Sequence, residues 1–444
     1  MSHEGMVDEA NAAFGGPRGR PGLSAHVKGV RRNINDLRVA VERIAADDGS
    51  AMAWWSFSGL HSGPWLGRAP TNLPVRASVF SHFTLVENRV SHYRLWLRAE
   101  LDAADGPSDI LVFDTSRPEL LGPVPEWFAR NIAAPHTSHE IAVQGCQIVY
   151  LKWSAVRPSP AARQLVFVHG GSAHAHWWSH LIPSLLEDGA QAISVNLGGM
   201  GESQHRLSYS PATYADEIMS CATDAGFDRP LVIAHSFGGF VATACAALNP
   251  NRLTGVILVD SGVYPPGEEV DYSSGVGAGL SGKKTYPSLD VISTRFKLMP
   301  DNPTENPFIK AHFLKHAVVE LETGEWTWRY DVNRRTLGKL YSWKDLQSAT
   351  AAGVPFTVVY GARSSIWNRP PHVPQSQDER SGRTGLQESS SSMRFMRETL
   401  PEGTPFVEVA DAGHHVMVDQ PEALVAALRE AARDERFGRV AGKL

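Results

Sequence analysis

The chain has 444 residues, enough for two or three domains with cores of their own. Hydrophobic residues make up 42% and charged residues 20%, an ordinary globular balance, and no apolar run approaches the length of a bilayer crossing. Lys and Arg number 42 against 47 Asp and Glu, a net charge of −5, so no basic footprint points to a nucleic-acid partner. Cys146, Cys221 and Cys245 are too few and too scattered for a disulfide framework or a zinc site. The segment from Met1 to Asp8 carries acid where a signal peptide would carry base, so a reducing, cytoplasmic location is the expectation.

In chain order, residues 1–23 are rich in Gly, Pro and Arg and read as disordered. Val39–Ile44, Ala51–Ser58, Val75–Val86 and Val90–Leu101 then read as strands, with Glu87-Asn88 as a tight turn between the last two. The expectation is a small, mostly antiparallel α+β domain over 24–103. The stretch Trp55-Ser-Phe-Ser-Gly-Leu-His-Ser-Gly-Pro-Trp-Leu-Gly67, with Ala69-Pro-Thr71 and Val75, resembles the central motif of SnoaL-like polyketide cyclases, over about residues 27–102. The resemblance implies a cone-shaped α+β barrel around an apolar pocket. Against that pattern, the family's N-terminal helices are largely missing. Arg98, with Glu100 two residues on, stands where the family's last strand would carry a catalytic Asp. His61, His82 and His92 are acid–base candidates that read more simply as partly exposed strand histidines. The domain is therefore expected to shape a ligand pocket or to pair subunits in a homodimer.

Pro107, Pro118, Pro123 and Pro125 mark residues 104–130 as a linker. Beyond it, Glu140–Gln144 and Gln147–Trp153 read as strands. Strands and helices then alternate: Leu165–Val168, a helix near His176–Glu187, Ala192–Val195, a helix near Pro211–Ala225, the strand from Leu231, and a helix Phe237–Leu248. Such alternation predicts a mostly parallel sheet covered on both faces, with reactive groups at the carboxyl ends of its strands. Ser236 sits at one such end. Ala234, Gly238 and Gly239 give the clearance that a tight strand-to-helix elbow needs. His169-Gly-Gly171 ends the strand Leu165–Val168 in glycines, so the N–H groups of Gly171 and Phe237 are the candidate oxyanion hole. Asn196–Ser203 reads as a flexible loop framing the same mouth.

A serine hydroxyl needs a base, and His414 follows the strand Pro405–Ala410 at a glycine, with His415 as its neighbouring alternative. Together, His169-Gly-Gly171, the Ser236 elbow, Gly199-Met-Gly-Glu-Ser203 and Gly413-His-His-Val-Met-Val-Asp-Gln-Pro421 resemble the α/β-hydrolase superfamily over roughly 131–436. The resemblance implies an α/β-hydrolase domain over 131–444 with Ser236 as nucleophile and His414 as base. The familiar position for the acid, after the strand Pro355–Gly361, holds Ala362-Arg-Ser-Ser365 and no carboxylate. A subset of the superfamily draws the acid from the earlier strand end, here Asp260; Asp378 is a distant second.

Residues at about 262–350 interrupt the alternation and read as a helical cap, with Leu289–Leu298 and Pro307–Leu321 helical and Trp326, Trp328 and Tyr330 supplying apolar surface. His312, His316 and Glu320 share metal-like helical spacing but read as a solvated face, and His174, His176 and His180 are dismissed similarly. Asn368–Ser392 reads as a flexible excursion. No metal and no cofactor is implied. The expected activity is a serine hydrolase that cleaves an ester or lactone of a medium-sized apolar substrate, aromatic or polyketide-like, through an acyl-enzyme. A C–C bond hydrolase or lyase using the same triad is the alternative, as is a non-catalytic ligand-binding protein.

Overall fold

Apolar runs of five residues bounded by turn residues build the centre of the larger unit. The structure, a computed structural model, describes residues 2–8, 19–87, 89–103, 106–115, 123–155, 163–186, 189–274, 284–300, 306–368 and 390–438. It divides into two units, Met1–Ala133 and Ala134–Leu444. Among the described residues no helix is long and apolar enough to cross a membrane.

The first unit is a seven-stranded sheet of β1 (Ser2–Asp8), β2 (Ile34–Ala46), β3 (Ser50–His61), β4 (Pro74–Val86), β5 (Arg89–Leu101), β6 (Asp109–Asp114) and β7 (Val124–Pro125). β2 to β7 lie side by side in chain order, all antiparallel, while β1 pairs with β5 in parallel. Period-two alternation is plain on β4 and β5: Val75, Ala77 and Val79 face inward with Tyr93, Leu95, Leu97 and Ala99. These residues, with Phe57, Trp65 and Phe113, form a core of their own. A cavity of about 310 Å³ opens among Val30, Trp55, Phe57, Trp65, Tyr93 and Phe113.

Two boundaries differ from the sequence reading. The stretch read as disordered holds β1 and the start of a helix, Gly19–Asn33, whose Val30 packs on the core. Residues 9–18 lie outside the described residues. The stretch read as a linker holds β6, paired in register to β5 with Leu111 and Phe113 buried, and the helix Glu126–Ile132. Pro107 and Pro123 precede β6 and β7, and Pro125 ends β7 as the N-cap of that helix, where no ladder N–H is needed; Pro118 lies outside the described residues. The first unit therefore extends to Ala133, past the expected end at 103 and through the expected linker, while the second begins at Ala134, close to the expected 131.

The second unit contains an eight-stranded sheet. Its strands are β8 (Thr137–Val143), β9 (Cys146–Ser154), β10 (Gln164–Val168), β11 (Gln191–Val195), β12 (Leu231–His235) and β13 (Gly255–Val259). After the short strands β14 (Thr285–Tyr286), β15 (Val318–Glu320) and β16 (Trp326–Trp328) of an insertion come β17 (Phe356–Gly361) and β18 (Phe406–Val409). Spatial order is β18-β17-β13-β12-β10-β11-β9-β8. Neighbours from β18 to β11 are parallel, and the β9/β8 hairpin closes the other edge in antiparallel fashion. The central strands β12 and β13 are buried from end to end, which is why they lack polar alternation. Helices Pro211–Asp224, Phe237–Leu248, Ser342–Ala351 and Pro421–Ala432 accompany the sheet.

The insertion after β13 is smaller and more mixed than a helical cap over 262–350. Its helices are Leu289–Ser293 and Pro307–Ala317, and β14, β16 and β15 form an antiparallel sheet. Trp326-Thr-Trp328 alternates with Thr327 buried, a strand pattern too short to be separated from a helix by periodicity. Leu346 and Ala349 of Ser342–Ala351 belong to the main core, so that helix is part of the scaffold. Helix Ser391–Thr399 begins within the stretch read as a flexible excursion, of which 369–389 lie outside the described residues. The helix expected near His176–Glu187 is instead a turn at Ala175–Trp177 and a short helix Ile182–Leu185.

Candidate active site

Ser236 links β12 to the helix Phe237–Leu248 with φ 52° and ψ −121°, a conformation that side chains rarely adopt. Its surroundings hold it there. Ser236 N–H donates to Val259 O at 3.2 Å, and Ser261 Oγ donates to Ser236 O at 2.8 Å. The small neighbours are compulsory: a Cβ on Gly238 would lie 2.5 Å from His169 O, and one on Gly239 would lie 2.0 Å from Ser261 Oγ. Strand and helix thus close tightly, and the hydroxyl is left at the carboxyl edge of the sheet.

His414 follows β18 and turns back over that edge. Its Nε2 lies 2.9 Å from Ser236 Oγ, and its Nδ1 lies 2.7 Å from Asp260 Oδ2. An ionised carboxylate only accepts, so Nδ1–H donates to Asp260 and the lone pair on Nε2 faces the serine hydroxyl. Three groups from the ends of β12, β13 and β18 therefore form one hydrogen-bonded chain. His415, the neighbouring alternative, packs its ring edge-on to Trp177 at 5.4 Å. Asp378 lies outside the described residues.

Asp260 is wholly buried, also at positive φ (43°), and is held by donors that the sequence reading missed. Gly361 N–H and Trp367 Nε1 donate to Oδ1 at 3.0 and 2.9 Å, and Ser364 Oγ donates to Oδ2 at 2.5 Å. Ser364 and Trp367 come from the segment after β17 where a carboxylate was sought and not found. That vacancy was the signal: the position supplies donors to an acid on the next strand. His235, also missed, donates from Nε2 to His414 O at 2.9 Å and steadies the loop that carries the imidazole. Burial and the neighbouring His414 hold the His235 ring well below the usual imidazole range, so it stays neutral.

Gly171 is exposed at the end of β10, next to Gly170, where a Cβ would lie 3.3 Å from Ser236 Cβ. Phe237 opens the helix, so its N–H is among those with no intrahelical partner. Both N–H groups thus belong to segments that border the hydroxyl. The Asn196–Ser203 loop is braced rather than flexible. Asn196 Oδ1 accepts from Ala175 N at 2.7 Å, and Gly198 N donates to Glu217, which is itself buried and paired with Arg206 at 2.8 Å. Trp177 stacks on the buried Phe313 of the helix Pro307–Ala317 at 4.3 Å, and Tyr272 meets Phe237 edge-on at 5.5 Å, so the segments beside the site pack through aromatic rings.

The histidines dismissed individually converge in space. His312 is buried against Ser179 and His176 and not on a solvated face, and Glu320 is off its helix, which stops at Ala317, and lies on β15. His176, His312 and His316 could hold a metal, as could His235, His414 and His415; in each group the ligand atoms lie within 4.8 Å of one another. His174 and His180 are tied to Phe313 O and Met417 O. In the first unit, His61 is fully buried rather than partly exposed, 3.3 Å from Thr71 Oγ1, and burial lowers its pKa. Arg98 pairs with Glu126 at 3.1 Å; His82 and His92 lie on β4 and β5.

Comparison with known proteins follows the same division. The profile of the alpha/beta hydrolase family matches residues 165–427, and that of SnoaL-like polyketide cyclase matches residues 1–97, including the N-terminal stretch first read as disordered. Esterase Rv0045c of Mycobacterium tuberculosis is 27% identical over 282 residues, 62% of this chain and 85% of that protein. The soluble epoxide hydrolase of a Corynebacterium species is 26% identical over 125 residues, 28% of this chain and 41% of that protein. Among solved structures, the thioesterase domain from the curacin biosynthetic pathway aligns with a TM-score of 0.51 at 19% identity, covering 68% of this chain and all of that domain. The M. tuberculosis esterase aligns with a TM-score of 0.50 at 23% identity, covering 69% and 97%.

Proposed function

Because the chain belongs to the alpha/beta hydrolase family and is a hydrolase, we propose that it is a serine hydrolase in which Ser236 is the nucleophile, His414 the base and Asp260 the acid that orients the imidazole. The substrate class is a carboxylic ester or lactone of medium size and apolar character. The observation that carries this reading is the unbroken chain from Ser236 Oγ to His414 Nε2, and from His414 Nδ1 to Asp260 Oδ2. The aromatic character of the segments beside the site, with Trp177 next to His415 and Tyr272 against Phe237, supports an apolar acyl or alcohol group, and the esterase among the relatives supports the bond.

The cycle has two halves. Ser236 Oγ attacks the carbonyl carbon as its proton passes to His414 Nε2, and the oxyanion gathers hydrogen bonds from the Gly171 and Phe237 N–H groups. His414 then protonates the leaving alkoxide as the C–O bond breaks, leaving an ester on Ser236. A water, deprotonated by His414, attacks that ester; collapse returns the proton to Ser236 and releases the acid. Asp260 stays ionised throughout and stabilises the imidazolium. The first unit, with Arg98 spent on Glu126, serves as an accessory that shapes a ligand pocket or pairs subunits.

The test is turnover of short and medium-chain aryl esters, with labelling by a fluorophosphonate. Ser236→Ala should lose both the label and about 10⁴-fold or more in kcat, and Asp260→Asn about 10³–10⁴-fold. A folded Ser236→Ala variant that still turns over ester would overturn the assignment. Cleavage of β-diketones without labelling would instead place the chemistry in the C–C bond class.

A further inference from the structure

Five imidazoles meet where the cap helix Pro307–Ala317 packs on the turn Ala175–Trp177. His176 stacks on His316 with ring centroids 3.5 Å apart, and His312 meets the two rings edge-on at 5.8 and 5.1 Å. His174 lies 6.1 Å from His176 and 6.0 Å from His316, and exposed His136 lies 5.9 Å from His176. None of these residues has a part in the ester chemistry. Stacked imidazoles alone would be an unusual use of five positions, since any aromatic or aliphatic side chain packs as well.

The hydrogen bonds set one of the tautomers. Ser179 Oγ donates to His176 O at 2.9 Å, so its only proton is committed. It must therefore accept from His312 Nε2–H, 2.7 Å away, which leaves the ring's lone pair on Nδ1. A hydrogen bond that fixes the outer nitrogen of a histidine is the usual support of a metal ligand, a place Ser179 takes here. His312 and His316 are one helical turn apart and share a face, the spacing by which two histidines grip one ion. His176 supplies a third nitrogen from outside the helix. The ligand atoms of the three lie within 4.8 Å of one another, against about 3.3 Å for nitrogens around a tetrahedral zinc, so modest ring rotation closes the set. Burial also lowers the proton affinity of all three rings, which keeps them in the neutral, ligating form. Lys315 and Arg329 are the cationic neighbours and oppose a bound cation, so affinity has to come from the nitrogens.

We propose that His176, His312 and His316 form a three-histidine site for a divalent transition metal of the zinc class, with a fourth position open to water. The ion would tie the cap helix to the turn that follows the Gly171 loop. Phe313 on that helix already stacks on Trp177 of that turn, so occupancy would lock this part of the cap in place.

The test is titration of the metal-free full-length chain with Co²⁺ and then Zn²⁺. One Co²⁺ per chain with visible ligand-field absorption, displaced by Zn²⁺ and raising the melting temperature, is the expected result. His316→Ala, at a partly exposed position, and His176→Ala should each weaken binding by more than about 10-fold, while His139→Ala should not. Absence of the absorption in the unsubstituted chain overturns the proposal whatever the variants do. So does unchanged affinity in folded His316→Ala, or loss of binding in His414→Ala, which would move the ion to the His235, His414 and His415 group.

Discussion

Ser364 shows how much a single hydroxyl can carry. Its bond to Asp260 is one of four that hold a carboxylate with no access to water, and hydrogen bonds to charged groups are worth about 1.5–3 kcal/mol. Ser364→Ala is therefore expected to destabilise the second unit by about that amount and to lower kcat. Denaturant titration and ester turnover on the same sample check it; full stability and rate together would remove Ser364 from the acid's support. Asp345 makes the opposite case. Burial alone raises its carboxyl to about 6 from 3.8. An acid whose folded pKa is raised favours folding at low pH and penalises it once ionised. The penalty is absent below 3.8, grows between 3.8 and about 6, and is complete above that. Asp345→Asn should accordingly raise the denaturation midpoint at pH 8 and leave it unchanged at pH 3.5 or below; a gain that does not vary with pH would contradict the cause.

Among elements, the elbow between β12 and the helix Phe237–Leu248 tolerates least. A methyl on Gly238 would meet backbone oxygens of His169 and Val168 at 2.5 and 2.9 Å, and backbone cannot step aside as a flexible side chain can. Gly238→Ala should cost about 1–3 kcal/mol or more and abolish turnover. Gly29, in the helix Gly19–Asn33, has nothing within 4 Å of the same added methyl, so Gly29→Ala should be neutral or stabilise by about 0.5–1 kcal/mol. Thermal unfolding of the two variants side by side is the measurement, and equal melting temperatures would contradict the packing argument. The elbow and the strands β10, β12 and β13 were readable because their signals are local: an apolar run, a serine, two small residues. The cap was not. Trp326-Thr-Trp328 and Leu289–Ser293 are too short to declare a period, and only contact with other segments makes them strand or helix.

At the scale of the whole molecule, the two units have separate cores, one around Val79 and Leu97, the other around Ile193 and Leu258. A fragment of residues 134–444 should therefore fold alone and retain ester turnover within about 10-fold of the full chain. An insoluble or inactive fragment would show that the first unit completes the hydrolase. The sequence by itself determined the alternation of strands and helices, the order of serine, acid and histidine along the chain, and the resemblance to two families, since each rests on residues close together or on strand-end positions. It misjudged β1, β6 and the helix Gly19–Asn33, because glycines and prolines in or beside them imitate disorder until a neighbouring strand supplies their partners. Only the tertiary structure decided that Asp260 reaches His414, that Ser364 and Trp367 support it, and that His176 meets His312 and His316. These groups lie a hundred or more residues apart, and no local periodicity records a contact that exists only after the sheet has wound.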